Sequence, residues 1–440
     1  GYSPSICDPG AYLQVDNCQI FCILLVYADD ILIACHNKHT ATVFKDKLSK
    51  HVKIKDLQEC KHILGISVRR DSKGVYLSQS QVIHQLLLDN DMQNCRPAPV
   101  PITAAYMQGH VWSGGETAGA STGANHLDNS HTATTANQHG VQLPDSSVSV
   151  QIAQDINSHA PSSYSSTAVT HDSHDKSQSD LSAADQSKFQ SILGVILYIS
   201  TCTRPDLSFA VSVLCRKMKQ ATDKDMDALK HLLRYLKGTK DEELALGKRQ
   251  QGLTGFSDAS FADCRTTRRS SAGYLFLFMG GTVSWKSNLL KTIALSTAEA
   301  EYMALSASAQ EGVYLQQLIT ELKLTAGGIV QGSNTDSTNT DSDSTTGTNG
   351  VTNLHLFTDN QAAISIAEQN SPTSRSKHIS VRYYYLRQLV ESGTLTLKYV
   401  PSTKQLADIF TKPLSAEKFR PLTAEILYGS QSDTCSGSRS

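Results

Sequence analysis

The chain has 440 residues, a formal net charge of −1 and ten cysteines, a length with room for two or three domains. The cysteines are scattered without CxxC pairs and no signal peptide leads the sequence, which points to a reducing intracellular setting rather than secretion or a disulfide framework. No apolar run approaches the roughly 20 residues of a bilayer-spanning helix, and the run over residues 20–27 is broken by Asp29 and Asp30, so a membrane reading fails.

The charge is unevenly spread. Residues 101–187 carry −7 and residues 326–350 carry −3, which leaves +9 on the remainder. Both acidic stretches read as disordered, so the folded parts are basic, as suits contact with a phosphate backbone. An ordinary solvated surface is the bland alternative.

Residues 1–35 centre on FCILLVYADDILIAC, two β-like apolar runs around Ala28, Asp29 and Asp30. The pattern predicts a hairpin with acids at its tip, where adjacent carboxylates can share a divalent cation carried by a nucleoside triphosphate. From Pro97 to about residue 184 the sequence turns rich in Ser, Thr, His, Asn and Gly. Such a composition buries too little apolar surface to offset its ordering entropy, so residues 98–184 are expected to be a disordered linker. Its histidines (His110, His126, His131, His139, His159, His171, His174) are too irregularly spaced for a metal site.

Residues 185–250 carry helical stripes, Ile192, Val195, Ile196 and Ile199 and then Leu229, Leu232, Leu233 and Leu236, ending at Gly238. Packing is their expected role. For Arg204, Lys230, Arg234 and Lys237 the choice lies between a duplex backbone and solvated helix faces.

Residues 252–424 predict three strands (253–260, 272–279, 282–286), a helix from Ser296 or Thr297 with Glu299 in its first turn, a polar insert (326–350) and a strand (354–358). Two helices (361–367, 378–390), a strand (394–400) and a closing helix (405–410) follow. Leu305, Ser308, Gly312, Leu315, Ile319 and Leu322 form the buried stripe of the long helix, and Glu301, four residues before Leu305, projects on or near it. Asp258 and Asp359 each end a strand, and Asp408 opens the last helix. A lone buried carboxylate is costly without a cation. Acids converging from separate elements, with no Cys or His ligand pattern nearby, point to a hard cation, Mg²⁺ or Mn²⁺. Taken singly, each is more readily a cap or a solvated acid, and it is their ordered recurrence that favours the cation.

These residues also carry a family likeness. From about residue 204 to 422 the chain resembles the ribonuclease H end of the polyprotein of copia-type LTR retrotransposons. The blocks are TRPDLSFAVSVL, GFSDASFADCRTTRRSSAGYLF, VSWKSNLLKTIALSTAEAEYMAL, LFTDNQAAISIA, SRSKHISVRYYYLRQ and YVPSTKQLADIFTKPL. Upstream, Tyr27, Asp29 and Asp30 match YxDD, the reverse transcriptase palm signature, and the flanking sequence resembles the copia polymerase, with a primer-grip-like Leu64-Gly65 and the start of a thumb.

The resemblance implies a ribonuclease H-like α/β (α+β) fold, a mixed five-stranded sheet with flanking helices over 251–424. A partial palm and thumb (1–97) and a helical connection (185–250) precede it, and a disordered tail (425–440) follows. It implies cleavage of the RNA strand of RNA·DNA hybrids by two divalent ions about 4 Å apart, Asp258 bridging both, Glu301 and Asp359 ligating one each and Asp408 assisting the hydrolytic ion. Glu301 is preferred to Glu299 because the family acid precedes x-x-Ala, as in Glu301-Tyr302-Met303-Ala304; Asp263 is a bystander. The stretch VPSTKQLAD lacks the histidine loop of many cellular ribonucleases H.

Arg265, Arg268, Arg269, Lys286, Asn360, Arg375 and Lys377 are the candidates for gripping nucleic acid. The palm strand that supplies the third polymerase aspartate is expected upstream of Gly1, so the chain alone is not expected to polymerise DNA. Its expected partners are an RNA·DNA hybrid and the remainder of the Pol polyprotein, and its expected location is intracellular, in a virus-like particle or the nucleus. The alternative is an inactive remnant or a nucleic-acid-binding protein. An integrase or transposase of the same fold is weaker, because the YADD block and the connection precede the site.

Overall fold

Apolar β-formers in AYLQVD and QIFCILLVY build an antiparallel sheet at the start of the chain: β1 (Tyr2–Pro4), β2 (Ala11–Asp16), β3 (Gln19–Tyr27) and β4 (Asp30–Cys35), in that order. The computed structural model describes residues 2–16, 19–35, 37–109, 180–247, 252–322, 324–325, 328–329, 354–368 and 380–428. Strands β3 and β4 pair from Tyr27 opposite Asp30 back to Cys22 opposite Cys35, around a two-residue turn in which Ala28 takes φ +48°. That register sets the two cysteines face to face, Cα atoms 4.3 Å apart, and they are joined as a disulfide. This single bridge is set by the pairing geometry of the hairpin rather than by cysteine spacing, and does not amount to a disulfide framework.

Helix α1 (Lys38–Ser49), capped by Asn37, leads to a second sheet of β5 (His62–Ile63), β6 (Ile66–Asp71) and β7 (Gly74–Ser78), and then to α2 (Ser80–Asp89). The next stretch corrects the sequence reading. Residues 98–109 fall within the expected linker, yet Ala98, Val100 and Ile102 are buried, and α3 (Ala104–Gly109) follows. The rest of the linker, with its seven histidines, lies outside the described residues up to 179.

Helices α4 (Ala183–Cys202), α5 (Ser208–Cys215) and α6 (Asp223–Gly238) are held by a Ser182 cap and a capping box of Thr222 with Asp225. They share one core with α2 and with Ala98, Val100 and Ile102. Strand β8 (Leu244–Leu246) then pairs antiparallel with β7, so the chain after α6 joins the sheet that precedes α2. Arg204 sits inside this body, 1% exposed. Its guanidinium forms two bonds to Asp206, 2.9 and 2.7 Å, and two to Thr239, while the Tyr235 hydroxyl donates to Asp206 at 2.7 Å. Neither a duplex contact nor a solvated face describes it, since burying a guanidinium requires this full set of acceptors.

The five-stranded sheet comprises β9 (Thr254–Ser260), β10 (Ser271–Phe278) and β11 (Gly281–Leu289), joined after α7 (Thr297–Glu321) and the ribbon β12 (Leu324–Thr325) with β13 (Gly328–Ile329) by β14 (Leu354–Thr358). Helices α8 (Gln361–Glu368) and α9 (Ser380–Glu391) precede the last strand, β15 (Leu395–Tyr399). Its order is β11-β10-β9-β14-β15, antiparallel across the first three strands and parallel from β9 through β15. This is the ribonuclease H-like mixed sheet.

Helix α7 lies on it so closely that a Cβ at Gly312 would stand 2.6 Å from Leu354, and its Leu305, Ala309, Leu315 and Ile319 share a core with Leu354 and Leu356. Most of the insert 326–350 lies outside the described residues. The closing helix expected at 405–410 is a 3-10 turn, Leu406–Phe410, and α10 (Ala416–Tyr428) follows, running past the expected end at 424; residues 429–440 are not described.

Candidate metal centre

Strand alternation and parallel pairing set the acids together. Phe256 on β9 lies opposite Phe357 on β14, the two rings stacked at 5.2 Å, so the acids two residues further on each strand leave the sheet side by side. Helix α7 brings Glu301 over the same end. Asp258, Glu301 and Asp359 each offer an oxygen within 4.8 Å of the other two. They line a cavity of about 570 Å³ together with Asn360, Gln361, Tyr399 and Lys412.

Asp258 and Glu301 are 1% and 6% exposed. The Thr411 hydroxyl donates to Asp258 Oδ2, and the Ser402 hydroxyl donates to Asp359 Oδ2 at 2.6 Å. The Ala259 amide donates to the Glu301 carboxylate, whose Oε2 is buried and finds no partner among the described residues. A buried carboxylate oxygen without a donor is costly in any protein. Burial, then the charges of Asp258 and Asp359, push the Glu301 carboxyl up to about 9. Burial also raises Asp258, opposed by Lys412 and Thr411. Three hard oxygen donors, one of them orphaned, fit Mg²⁺ or Mn²⁺ and suit a soft metal poorly.

The fourth acid stands apart. Asp408, 3% exposed, lies outside the cluster of three and pairs with Lys412 at 2.9 Å; burial and then Asp258 push its carboxyl up to about 6. Lys412 also reaches Asp258 Oδ2 at 3.5 Å. Burial lowers the affinity of its amine for a proton, but the Asp258 and Asp408 carboxylates more than reverse this and raise its pKa. Sequence reasoning missed Lys412, Thr411, Ser402, Gln405 (which donates to the Ser257 carbonyl at 3.0 Å) and Tyr399. The i, i+4 spacing of Asp408 and Lys412 in DIFTK was the available signal.

Glu299 turns the other way, its carboxylate accepting from the Leu295 amide at 2.7 Å at the start of α7. Asp263 staples a loop through the Ser271 amide and hydroxyl.

The nucleic-acid candidates do not gather. Arg265 donates to the Gln108 carbonyl at 2.8 Å, and Arg268, with φ +55°, and Arg269 lie exposed in the same β9–β10 loop. Lys286 is exposed on edge strand β11, and Asn360 lines the cavity while accepting from the Ala363 amide to cap α8. Arg375 and Lys377 lie outside the described residues. Near the chain start, Tyr27 is 66% exposed and Asp29 sits at the exposed hairpin tip; among the described residues no third acid joins Asp29 and Asp30.

Residues 1–104 match the family model for reverse transcriptase, RNA-dependent DNA polymerase. The chain is 29% identical over 422 residues to the Retrovirus-related Pol polyprotein from transposon TNT 1-94 of Nicotiana tabacum, covering 95% of this chain and 25% of that protein. The chain belongs to the copia-type retrotransposon Pol family. This Pol chain also shares 44% identity over 128 residues with Secreted RxLR effector protein 161 of Plasmopara viticola, 29% of the chain and 90% of that protein. Among solved structures it is similar to ribonuclease H1 from the archaeon Halobacterium salinarum, at 14% identity and a TM-score of 0.24, covering 37% of this chain and 95% of the other. The fold assignment rests on the strand order and helices described above. The Pol chain spans about a quarter of the length of the TNT 1-94 relative. Among the described residues no helix is long and apolar enough to cross a membrane.

Proposed function

We propose that the Pol chain is a divalent-metal-dependent ribonuclease H that cleaves the RNA strand of RNA·DNA hybrids. The observation that carries this reading is the convergence of Asp258, Glu301 and Asp359 within 4.8 Å at one end of a ribonuclease H-like sheet. Those three side chains hold the metal. When bound, a divalent ion makes water a stronger nucleophile and stabilises charge on the scissile phosphate, the work that two ions share in the two-ion scheme.

The chain's own groups prepare the site. Thr411 and Ser402 fix the carboxylates of Asp258 and Asp359, the Ala259 amide orients Glu301, and burial keeps Glu301 protonated until a cation arrives. Asn360, Gln361 and Tyr399 form the wall that faces nucleic acid, with Asn360 placed for a 2′-hydroxyl. The exposed Arg268, Arg269 and Lys286 supply weaker phosphate contacts from the β9–β10 loop and the edge strand.

Tyr27, Asp29 and Asp30 belong, in this reading, to a polymerase site that only the longer Pol protein completes. The match of residues 1–104 to reverse transcriptase supports this. An intracellular location follows from the same Pol context.

The test is the full chain with Mg²⁺ on a hybrid carrying a labelled RNA strand. Cleavage that Asp258→Asn abolishes is expected. An inert parent protein, or cleavage indifferent to that substitution, returns the chain to a nucleic-acid-binding remnant.

A further inference from the structure

Lys412 is the feature of the centre that neither its fold nor its three acids call for. Its Nζ stands 2.9 Å from Asp408 Oδ1 and 3.5 Å from Asp258 Oδ2. Asp258 and Asp408 are the carboxylates that would hold a second divalent ion on this side, and the Lys412 ammonium pairs with both of them.

The two sides of the centre are thus unlike. On the Asp408 side a cation is already supplied by the chain. On the Asp359 side the buried Oε2 of Glu301 meets no donor among the described residues. Asp258 stands between the two sides. The Lys412 and Thr411 contacts both fall on Oδ2, and neither engages Oδ1.

We propose that Lys412 is the resident cation at the second position, so that the substrate-free chain holds one divalent ion, between Asp258, Glu301 and Asp359. The inference rests on the metal-dependent reading above. It makes Lys412 a positioning residue, which neutralises Asp408 and fixes Asp258 while the first ion binds. It also predicts a substitution that increases metal loading. Removing the ammonium while keeping the aliphatic stem leaves Asp408 and Asp258 Oδ2 facing each other without a cation, a strong site for a second divalent ion.

The measurement is a count of bound Mn²⁺ by electron paramagnetic resonance on the full chain without nucleic acid, taking only the Mn²⁺ that excess Mg²⁺ displaces. Every protein carries Asp29→Asn and Asp30→Asn, so the hairpin acids add nothing to the count. One ion is expected in this parent and in the parent with Lys412→Arg, and two with Lys412→Met. Circular dichroism and melting establish that each variant is folded; should Lys412→Met not fold, Lys412→Gln carries the same test. Two ions in the parent, or one in a folded Lys412→Met protein, overturns the proposal and leaves the nuclease reading intact. No displaceable ion in any of the proteins removes the metal-dependent reading and the proposal with it.

Discussion

Replacing Glu301 by Gln is expected to stabilise the metal-free protein, and more so as the pH rises. In the fold, burial and the neighbouring carboxylates push the Glu301 carboxyl up to about 9, whereas in the unfolded chain a glutamate titrates near ~4.3. Between these values the folded protein keeps a proton that the unfolded chain has released, so this side chain's contribution is intact below the lower value and is lost as pH rises toward the upper one. Each pH unit in that window is worth about 1.4 kcal/mol, which makes the loss between about pH 5 and pH 7.5 on the order of 3 kcal/mol. That figure is a ceiling, because Asp258 and Asp359 share in the titration. The amide of Glu301→Gln would fill the same space with nothing to ionise.

The assay is urea unfolding of parent and Glu301→Gln proteins in EDTA at the two pH values. The stability gap in favour of the variant should widen by about 2–3 kcal/mol from the lower to the higher pH, and Mg²⁺ should narrow it by stabilising only the parent. A gap that is equal at both pH values refutes the reasoning, and with it the view that a cation is what releases the proton from Glu301.

Asp206→Ala leaves the Arg204 guanidinium buried without its main partner and should cost about 3–5 kcal/mol. Arg204→Met combined with Asp206→Leu should cost less than that single change, both read by denaturant midpoints. Gly273→Ala places a methyl group against Phe410 beside Thr411 and should lower stability by about 1–3 kcal/mol or more, together with nuclease rate, since Thr411 holds Asp258; an unchanged melting temperature contradicts this packing. Glu321, whose carboxylate accepts from the Ser5 hydroxyl and the Ile6 and Cys7 amides, is held down at about 2 by these bonds, which outweigh its partial burial. Its contribution is present above the ordinary glutamate value and lost as pH falls toward 2, so Glu321→Gln should cost about 1 kcal/mol or less near neutrality and flatten the acid limb of the stability profile.

Much of the five-stranded-sheet region is legible because its signals are periodic and local. The stripe from Leu305 to Ile319 sets Glu301 on or near the face toward the sheet, the family likeness prefers it to Glu299, and the ends of strand-like segments mark Asp258 and Asp359. What escapes depends on register or on composition averaged over too wide a window. Pro97, Pro99 and Pro101 make their stretch look like linker, yet they alternate with Ala98, Val100 and Ile102, which an extended chain turns to one side and buries. The turn that pairs Tyr27 with Asp30 also pairs Cys22 with Cys35, a consequence visible only once the hairpin's register is fixed. Arg204 looks like surface charge until Tyr235 and Thr239, more than thirty residues on, close around it. Lys412 hides for another reason: its i, i+4 spacing points to Asp408, but nothing in the sequence shows that its flexible stem also reaches Asp258.

Helix α7 runs unbroken for 25 residues, with Glu301 near one end and Glu321 at the other, about 30 Å apart along its axis. One end is pinned to the loop between β1 and β2, and the other carries Glu301 into the cluster of acids. A rod of that length is a lever. Tilting it by two degrees about the pinned end would carry the Glu301 backbone about 1 Å, enough to spoil a coordination shell whose distances tolerate only a few tenths of an ångström. Strain arriving at residues 5–7 would therefore be felt, mechanically and without any ligand, at the three converging acids.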